Sequence, residues 1–571
     1  MGSISEPPQS PSHFTNLPQI PTDEPFAVNA SYIKDTYPKK VNLGIGVYRT
    51  NKGDPWPLRV VEDAEKAIYN AQDISRHEYL SIQGDREFLR LAADLVFDFN
   101  SVQPCADTTQ SGLDRVTSIQ TVSGTGANRL GAEFLTRNIS PGNVWIPAPT
   151  WANHHTIWDL AGVPRKEYPY YNSSTGEFNY EETLQTLRTS SSKNDILVLH
   201  ACAHNPTGAD PSREQWEGIL DVCKEKGLIP FFDLAYQGFA SGNVGKDGWA
   251  IRRFFEEGGI EFVVAQSFSK NFGLYGQRVG ALHVVSSSSA AQGVSDDILA
   301  MLCHLVRGEY SMAPRGGAEI VRRVLGNKEL RARWVEDLDT MSTRILSMRK
   351  ALFEELVALG TPGDWGHVVK QIGMFTYVGL SETQVFAIRE RHHVYMLKSG
   401  RISISGLNET NVRYVAMAID DVERGNLESG NFDLGYGSGT ELFQQAQDSE
   451  GKPTAKAHLA EMIALLGMPS PEFIEESHSA LMYQWPYKIR LNGGELSENA
   501  FEMFGGPFFD VNGKFLHEDL IPDRRIEDTL PLVDEKDRNK LIAFAKKMLT
   551  WDPEERATAR QLLEDPFLKL E

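Results

Sequence analysis

A lysine at position 270 follows the apolar run 262–266 and is preceded by residues that could hold a phosphate. The run predicts a buried strand, so Lys270 would lie where that strand ends. In a closed pocket a lysine loses its charge more readily, and the neutral amine can attack a carbonyl carbon to form an imine. Ser267, Ser269 and Arg278 are nearby in sequence, and hydroxyls with a guanidinium suit a phosphate monoester. The segment predicts a nucleophilic amine beside a bound phosphate.

A second candidate is Asp233, which ends the apolar run 229–232. A carboxylate there would be partly buried and would need a partner, and a protonated pyridine nitrogen is one such partner. Tyr236, three residues on, could reach a phenolic oxygen on the same ring. Asn205 follows the apolar run 196–201 and could donate to that oxygen. Aspartates at such positions also commonly cap helices or end sheet strands, and that alternative stays open.

A third segment, VSGTGANR at 122–129, lies between a predicted strand and a predicted helix. Its small residues would let backbone N–H groups at the helix N-terminus approach a phosphate, helped by the helix dipole. Ser123, Gly124 and Thr125 would be the contacts. Tight turns use glycine for conformational reasons alone, so this segment is informative only together with the other two.

The elements that must position these residues are short β-branched or aromatic runs bounded by Gly, Pro, Asn or Ser. They predict strands at 116–122, 143–147, 196–201, 229–232, 262–266 and 279–285. Helical segments such as 213–226 separate several of them, which predicts an α/β fold: a largely parallel sheet with helices on both faces. Ligands bind such sheets at the carboxyl ends of the strands. A helical stretch at 318–359 and strands at 40–47, 371–378 and 401–404 predict a smaller α+β domain.

Nine motifs, in order, resemble those of the aspartate aminotransferases, class I members of the fold-type-I pyridoxal-phosphate enzymes. They are VNLGIGVYRT, HEYL, SGTGAN, TWANHH, HACAHNPTG, FFDLAYQGF, SFSKNFGLYGQRVG, QIGMF and GRISISGL. The resemblance runs from Val41 to about Arg424. It implies a transaminase with pyridoxal 5'-phosphate as cofactor. It also implies an aminotransferase part at 26–424, with a large cofactor domain at about 51–320 and a small domain from 26–50 and 321–424.

The resemblance implies a role for each candidate residue. Lys270 would hold the cofactor as a Schiff base and move the proton between the substrate's α-carbon and the cofactor. Asp233 would hold the pyridine nitrogen, with His154 behind it, while Asn205 and Tyr236 would bind the ring oxygen. The implied phosphate contacts are Ser123, Gly124, Thr125, Ser267, Ser269, Arg278 and Tyr79. The last of these would come from the neighbouring subunit of a homodimer with shared active sites.

Two arginines would select the substrate, again by resemblance. Arg401 would hold the α-carboxylate with a bidentate fork that lysine cannot supply. Arg307 would cross the interface to the side-chain carboxylate; an ordinary surface arginine is the alternative. Gly46, Trp151 and Asn205 complete the implied substrate site, Trp151 by stacking on the ring, although tryptophan is more often a core residue. The implied reaction transfers the amino group of L-aspartate to 2-oxoglutarate, giving oxaloacetate and L-glutamate.

The chain departs from the family pattern directly after Arg307. It reads EYSMAPRGGA, with Met312 and Ala313 where the family usually has a Ser-x-Pro-Pro turn. This departure bears on the placement of Arg307 and leaves open a broader specificity that includes aromatic amino acids. A catalytically inactive interaction or fusion protein is the remaining alternative.

The sequence changes character after residue 424. We expect a disordered arm at 1–25, a Gly-rich linker at 425–439, and a segment at 440–571 that resembles the end of a serine/arginine-protein-kinase-like C-terminal lobe. The best stretches of that segment are AHLAEMIALLG and FAKKMLTWDPEERATARQLLEDPFL. A nucleotide clamp, a catalytic base and metal ligands are all missing, so no kinase activity is expected. The segment is either a regulatory appendage or a fusion without function.

Composition limits the partners. The 57 Lys and Arg against 77 Asp and Glu give a formal net charge of −20, which argues against affinity for nucleic acid or anionic membranes. The four cysteines show no metal-ligand or redox spacing, so no metal is expected. No apolar run is long enough to span a membrane, and residues 1–25 lack the features of a leader peptide. A cytoplasmic location is the expectation.

Overall fold

The computed structural model describes residues 22–51, 53–99, 112–287 and 293–424. In the C-terminal part it describes 455–482, 489–490, 496–497, 499, 502, 506–510, 512–523, 525–526, 535–552, 555–558, 561–562 and 565. The chain divides into two compact units, Met1–Gly425 and Asn426–Glu571. Most of the predicted arm and all of the predicted linker lie outside the described residues.

The strands are β1 (Val41–Asn42), β2 (Val116–Val122), β3 (Val144–Ala148), β4 (Arg165–Pro169), β5 (Tyr171–Asn172), β6 (Glu177–Phe178), β7 (Ile196–His200), β8 (Ile229–Leu234), β9 (Phe262–Ser267), β10 (Val279–Val285), β11 (Phe375–Tyr377), β12 (Val394–Tyr395), β13 (Arg401–Ser403), β14 (Ile489–Arg490) and β15 (Leu496–Ser497).

The helices of the first unit are α1 (Glu24–Lys34), α2 (Arg59–Asn70), α3 (Arg86–Phe97), α4 (Ser123–Ile139), α5 (Asn153–Ala161), α6 (Tyr180–Ser190), α7 (Arg213–Lys226), α8 (Val244–Asp247), α9 (Trp249–Glu257), α10 (Val294–Glu309), α11 (Arg315–Gly326), α12 (Lys328–Leu359), α13 (Gly366–Lys370), α14 (Glu382–His392) and α15 (Val412–Glu423). The second unit contains α16 (Ala455–Leu466), α17 (Pro471–Leu481) and α18 (Glu535–Lys546).

The large sheet of the first unit has seven strands in the order β2-β10-β9-β8-β7-β3-β4. Strands β9, β8, β7, β3 and β4 are parallel, whereas β10 is antiparallel to both β2 and β9. The predicted α/β fold with a largely parallel sheet is confirmed, with the reversal of β10 as the exception. All six predicted strands of this sheet exist, and only β4 was missed, because three of its five residues are exposed.

Successive residues of the central strands belong to two different cores, one on each face of the sheet. In β7, Ile196 and Val198 pack in one core, and Leu197 and Leu199 pack in the other. This is the period-2 alternation of a strand, and here both faces are apolar because helices cover both. The continuous apolar runs in the sequence follow from this double burial.

Several elements assigned to the predicted smaller domain differ from their predicted bounds. The predicted strand 40–47 shrinks to β1, and the predicted strand 371–378 shrinks to β11, which follows the left-handed Gly373 (φ 78°). The predicted helix 318–359 is interrupted at Asn327, whose extended backbone ends α11 while its side chain accepts from the first turn of α12. Helix α1 begins at Glu24, inside the predicted arm, because Asp23 caps it.

The second unit is mainly helical, with a small core built around Ala460, Ile463, Phe508 and Phe515. The sequence pattern of this segment predicts helices at 458–466, 537–549 and 558–563. Helices α16 and α18 correspond to the first two, and part of the third lies outside the described residues. Among the described residues of both units, no helix has the length and hydropathy needed to cross a membrane.

Candidate active site

The ends of β2, β7, β8 and β9 meet at one edge of the large sheet and surround a cavity of about 240 Å³. Most of the predicted site residues line this cavity, although they are distant in sequence. They are Gly46, Ser123, Gly124, Thr125, Trp151, Asn205, Asp233, Tyr236, Ser267, Ser269, Lys270 and Arg278. The shared edge follows from the common direction of these strands.

Asp233 lies near the carboxyl end of β8 and is almost fully buried. Its Oδ2 lies 3.0 Å from Nε2 of the fully buried His154, which approaches from α5 behind it. Burial raises the pKa of the carboxyl, but the hydrogen bond from His154, together with nearby positive charge that includes Lys270, outweighs that effect and lowers the pKa below its usual value. The carboxylate is therefore an anion at neutral pH, as a partner for a ring cation must be.

The proton on His154 can be located from a chain of hydrogen bonds. The backbone N–H of Asn205 donates to Nδ1 of His200 at 3.3 Å, so this neutral histidine carries its proton on Nε2. That Nε2–H donates to the hydroxyl of Thr150 at 3.0 Å, and the hydroxyl in turn donates to Nδ1 of His154 at 2.9 Å. His154 consequently carries its proton on Nε2 and donates it to Asp233. Burial lowers the pKa of His200 well below its usual value, so His200 itself is neutral.

Lys270 follows β9, and its ammonium nitrogen lies 5.0 Å from the centre of the Tyr236 ring. Burial lowers the pKa of Lys270; the charge of Asp233 opposes this effect and that of Arg278 adds to it. A lowered pKa leaves more of the lysine as a neutral amine. Burial, followed by the charge of Asp233, raises the pKa of Tyr236, so its phenol stays protonated and can donate a hydrogen bond.

The predicted phosphate contacts form one wall of the cavity. Helix α4 starts at Ser123, and within the described structure no side chain caps its N-terminus. The hydroxyls of Ser123 and Ser269 are 3.0 Å apart. At Gly124 a Cβ atom would lie 2.7 Å from the Cβ of Ser267, which only glycine avoids. Arg278 supplies the positive charge, with its pKa lowered by burial.

Arg401 starts β13 and is buried, with its guanidinium carbon 4.2 Å from the centre of the Phe375 ring. Burial lowers its pKa to about 10, so it stays cationic at neutral pH. One terminal nitrogen donates to the carbonyl of Gly44, and Nε has no hydrogen-bond partner in the described structure. Gly46 lies against Phe375, where a Cβ atom would be 2.5 Å from the ring. A buried guanidinium with an unused donor suits a carboxylate.

Four predicted residues do not line the cavity of their own chain: Tyr79, His154, Arg307 and Arg401. Tyr79 is 86% exposed on the surface. Arg307 is exposed near the C-terminus of α10 and donates to the hydroxyl of Ser311. Trp151 lines the cavity, with its ring centre 5.3 Å from that of His154 in an edge-to-face contact. His154 itself lies behind Asp233 and does not line the cavity.

Four residues of this site were not singled out from the sequence: Asn128, Thr150, His200 and Tyr275. All four lie within motifs that were recognised, so their position in those motifs was the available signal. Tyr275 connects the site to the N-terminal part of the chain, because its hydroxyl accepts the backbone N–H of Tyr48 at 3.1 Å. No individual pattern distinguishes them from core residues.

The residues fit pyridoxal 5'-phosphate. The buried side-chain oxygen of Asn205 has no hydrogen-bond partner in the described structure. When the amide is rotated by about 180°, its NH2 group takes this position and can donate to an oxygen on the cofactor ring. The anionic Asp233 suits the protonated ring nitrogen, and Lys270, with its lowered pKa, suits the aldehyde. The uncapped N-terminus of α4 and the nearby Arg278 suit the phosphate. The described residues contain no group of three or more metal-ligating side chains arranged around an ion.

Comparison with known proteins identifies the family. Residues 38–419 match "Aminotransferase class I and II". The chain belongs to this family. It is 51% identical over 408 residues to an L-tyrosine:2-oxoglutarate aminotransferase from Aspergillus ustus, a match that covers 71% of this chain and 77% of that protein.

Solved structures of family members resemble the first unit. The cytoplasmic aspartate aminotransferase of Saccharomyces cerevisiae superposes with a TM-score of 0.68 at 41% identity, covering 72% of this chain and 99% of that one. An aromatic-amino-acid aminotransferase of Burkholderia pseudomallei, covalently bound to pyridoxal phosphate, superposes with a TM-score of 0.67 at 38% identity. The match covers 72% of this chain and 100% of that one. This chain is accordingly a transaminase that depends on pyridoxal phosphate.

Proposed function

We propose that this transaminase transfers the amino group of L-aspartate to 2-oxoglutarate, giving oxaloacetate and L-glutamate. The observation that carries the proposal is the buried Arg401, whose Nε has no hydrogen-bond partner in the described structure. Its charge acts on Tyr236, which lines the cavity that contains Lys270. The similarity to aspartate aminotransferases at 41–44% identity supports it. In this reaction the substrate's α-carboxylate would bind Arg401, and its side-chain carboxylate would bind a second cation, Arg307.

The roles of the chain's own residues follow from their chemistry. When bound, the cofactor supplies an electron-withdrawing pyridinium ring that acidifies the α-hydrogen of an attached amino acid. Asp233 holds the proton on the ring nitrogen, because its carboxylate is anionic and oriented by His154. Lys270, whose lowered pKa favours the neutral amine, would take the proton from the substrate's α-carbon and deliver it to the cofactor. Tyr236 and Asn205 donate to the ring oxygen, and Trp151 covers the ring face.

We further propose a homodimer with shared active sites. Tyr79 and Arg307 lie outside the cavity of their own chain and are exposed, although the family resemblance gives them substrate or phosphate contacts. The exposure of these two residues and the contacts implied for them are compatible if each residue reaches the active site of the second subunit. Ile74 is 86% exposed and Tyr69 is 79% exposed close to Tyr79 in sequence, which supports an apolar interface there.

Aromatic amino acids are the second candidate substrates. The relative from Aspergillus ustus is named as a tyrosine aminotransferase, and it is more similar to this chain than the aspartate aminotransferases reported above. Met312 and Ala313 follow Arg307, and Ala313 is fully buried. A less polar segment beside Arg307 suits a side chain without a second carboxylate.

The segment 440–571 is proposed as an appendage without a part in transamination, either regulatory or a fusion without function. Its resemblance to the end of a kinase C-terminal lobe includes no residue for phosphoryl transfer. We also retain the expectation of a cytoplasmic location, and of a cofactor domain and a small domain within 26–424.

Two measurements test the function together. Borohydride reduction followed by peptide mapping should place one reduced cofactor adduct on Lys270; an adduct elsewhere contradicts the proposal. Amino-donor profiling of the wild type and Arg307→Ala should then show a roughly tenfold or greater loss of kcat/KM for aspartate and glutamate, because a charge-assisted pair contributes about 1.5–3 kcal/mol. An equal loss for tyrosine would contradict the assigned role of Arg307.

A further inference from the structure

A buried carboxylate outside the cavity holds the turn that carries Tyr236. Asp247 ends the short helix α8 and is 5% exposed. Its Oδ2 accepts the backbone N–H of Gly238 at 2.8 Å and that of Ser241 at 3.2 Å, and its Oδ1 accepts the hydroxyl of Ser241 at 2.5 Å. One side chain thus satisfies backbone groups at both ends of the turn.

The same turn closes on the backbone of Tyr236. The carbonyl of Tyr236 accepts the N–H of Phe239 at 3.0 Å and that of Ala240 at 2.9 Å. Gly238 has a φ of 79°, and a Cβ atom there would lie 2.6 Å from a methyl group of Leu338. The turn is therefore closely packed and bonded to the backbone of Tyr236, so we expect a shift at Gly238 or Ser241 to move Tyr236 as well.

The turn also contacts the segment of the reactive lysine. The amide of Asn271, next to Lys270, donates to the carbonyl of Gln237 at 3.1 Å, and the indole of Trp334 donates to the carbonyl of Asn271 at 2.8 Å. Lys270 itself lies against the ring of Tyr236. Tyr236 and Lys270 are thus positioned by one continuous set of backbone contacts that Asp247 anchors.

We propose that Asp247 is a positioning residue of the reaction: by binding the N–H groups of Gly238 and Ser241, it sets the distance of the Tyr236 phenol from the cofactor's ring oxygen. The inference rests on the proposed roles of Tyr236 and Lys270. A carboxylate in this place is not the least costly way to stabilise a turn, because its burial raises its pKa to about 6. The carboxylate offers two acceptor oxygens to three donors, whereas asparagine offers one and alanine none, so neither would supply the same set of bonds.

Asp247→Asn tests the proposal, with Asp195→Asn as the matched control. Asp195 is also fully buried and also binds two backbone N–H groups, those of Asn143 at 2.9 Å and Ser192 at 3.0 Å. It directly precedes β7, at the opposite edge of the sheet from the cavity. Both variants replace one of two acceptor oxygens with an NH2 group, so both should lower the thermal midpoint. Only Asp247→Asn makes this change at the turn of Tyr236.

The readout is the absorbance of the bound cofactor as a function of pH, measured on the holoenzyme without substrate. A displaced phenol changes the hydrogen bond to the ring oxygen, so Asp247→Asn should shift the pH midpoint of the absorbance change by about half a unit or more. Asp195→Asn should leave that midpoint unchanged. In a Tyr236→Phe background, Asp247→Asn should produce no further shift, because the phenol it acts through is gone.

Equal midpoints in Asp247→Asn and Asp195→Asn would overturn the inference, as would an unchanged shift in the Tyr236→Phe background. If Asp247→Asn does not fold, Ser241→Ala replaces it, because this variant removes one of the three bonds to Asp247. It should shift the pH midpoint by a smaller amount, and an unchanged midpoint would also overturn the inference. A wild type that shows no cofactor absorbance at all refutes the proposed function, which keeps the two failures distinct.

Discussion

The backbone N–H of Asn205 donates to Nδ1 of His200, and this bond fixes the direction of every proton between His200 and Asp233. A backbone amide can only donate, so His200 must accept there and donate from its other nitrogen. Thr150 then donates to His154, and His154 donates to Asp233. The backbone N–H of Asn205 therefore sets the tautomer of His154 through two intervening side chains, those of His200 and Thr150.

Thr150→Val should lower kcat/KM by about tenfold. The substitution keeps the shape but removes the hydroxyl, so Nδ1 of the buried His154 and Nε2–H of His200 both lose a partner, at a cost of about 1–3 kcal/mol. Steady-state kinetics with saturating cofactor measure the effect. Thr150→Ser keeps the hydroxyl and should stay near the wild-type value; a similar loss in both variants would contradict the role assigned to the hydroxyl.

Hybrid dimers test the shared active site. Lys270→Ala and Arg307→Ala subunits, co-expressed with different tags, form a hybrid with one site that has both a native Lys270 and the partner's native Arg307. The purified hybrid should recover about half of the wild-type activity toward aspartate, because one of its two sites is intact. If Arg307 serves its own subunit, the hybrid gains nothing over the Arg307→Ala homodimer.

Gly124→Ala should weaken cofactor binding by about tenfold or more. The added methyl group would lie 2.7 Å from the Cβ of Ser267, so the first turn of α4 must move away from the phosphate site. Fluorescence titration of the apoenzyme with the cofactor measures this. Gly259→Ala is the control, since its Cβ atom has no neighbour within 4 Å in the described structure; equal affinities in the two variants would contradict the predicted clash.

His283→Asn should reduce the loss of stability in acid. Burial lowers the pKa of His283 to about 3, whereas an unfolded histidine titrates near 6.5. Between these values the unfolded chain binds one more proton, so the wild type loses up to about 1.4 kcal/mol of unfolding free energy per pH unit as the pH falls. Urea unfolding from pH 7 to pH 4 should show a shallower decline in the variant, and parallel declines would refute the assignment.

The sequence was informative where chemistry and strand ends coincide. Asp233, Lys270 and Ser123 each follow an apolar run, and the parallel arrangement of those runs brings them to one cavity. What a single sequence could not supply was the identity of partners contributed by packing. Thr150 and His200 became part of the site only through bonds between different loops, and no periodicity marks them.

Some predicted helix and strand boundaries were wrong, and the physical reasons can be traced to particular residues. The predicted helix 318–359 ignores Asn327, whose side chain can cap a helix only if its backbone leaves the helical conformation. The exposed strand β4 has no apolar run because it forms the edge of the sheet. Both depend on tertiary surroundings that local preference does not encode.

The reversed strand β10 constrains how this enzyme can vary. Because β10 runs back alongside β9, the connection 268–278 starts and ends at the cavity, and it carries both Lys270 and Arg278. Inserted residues there would change the separation between the amine and the phosphate cation, so we expect the length of this loop to be constrained by the chemistry. The loop at 258–261 joins the opposite edge of the sheet, so we expect insertions there to affect catalysis less.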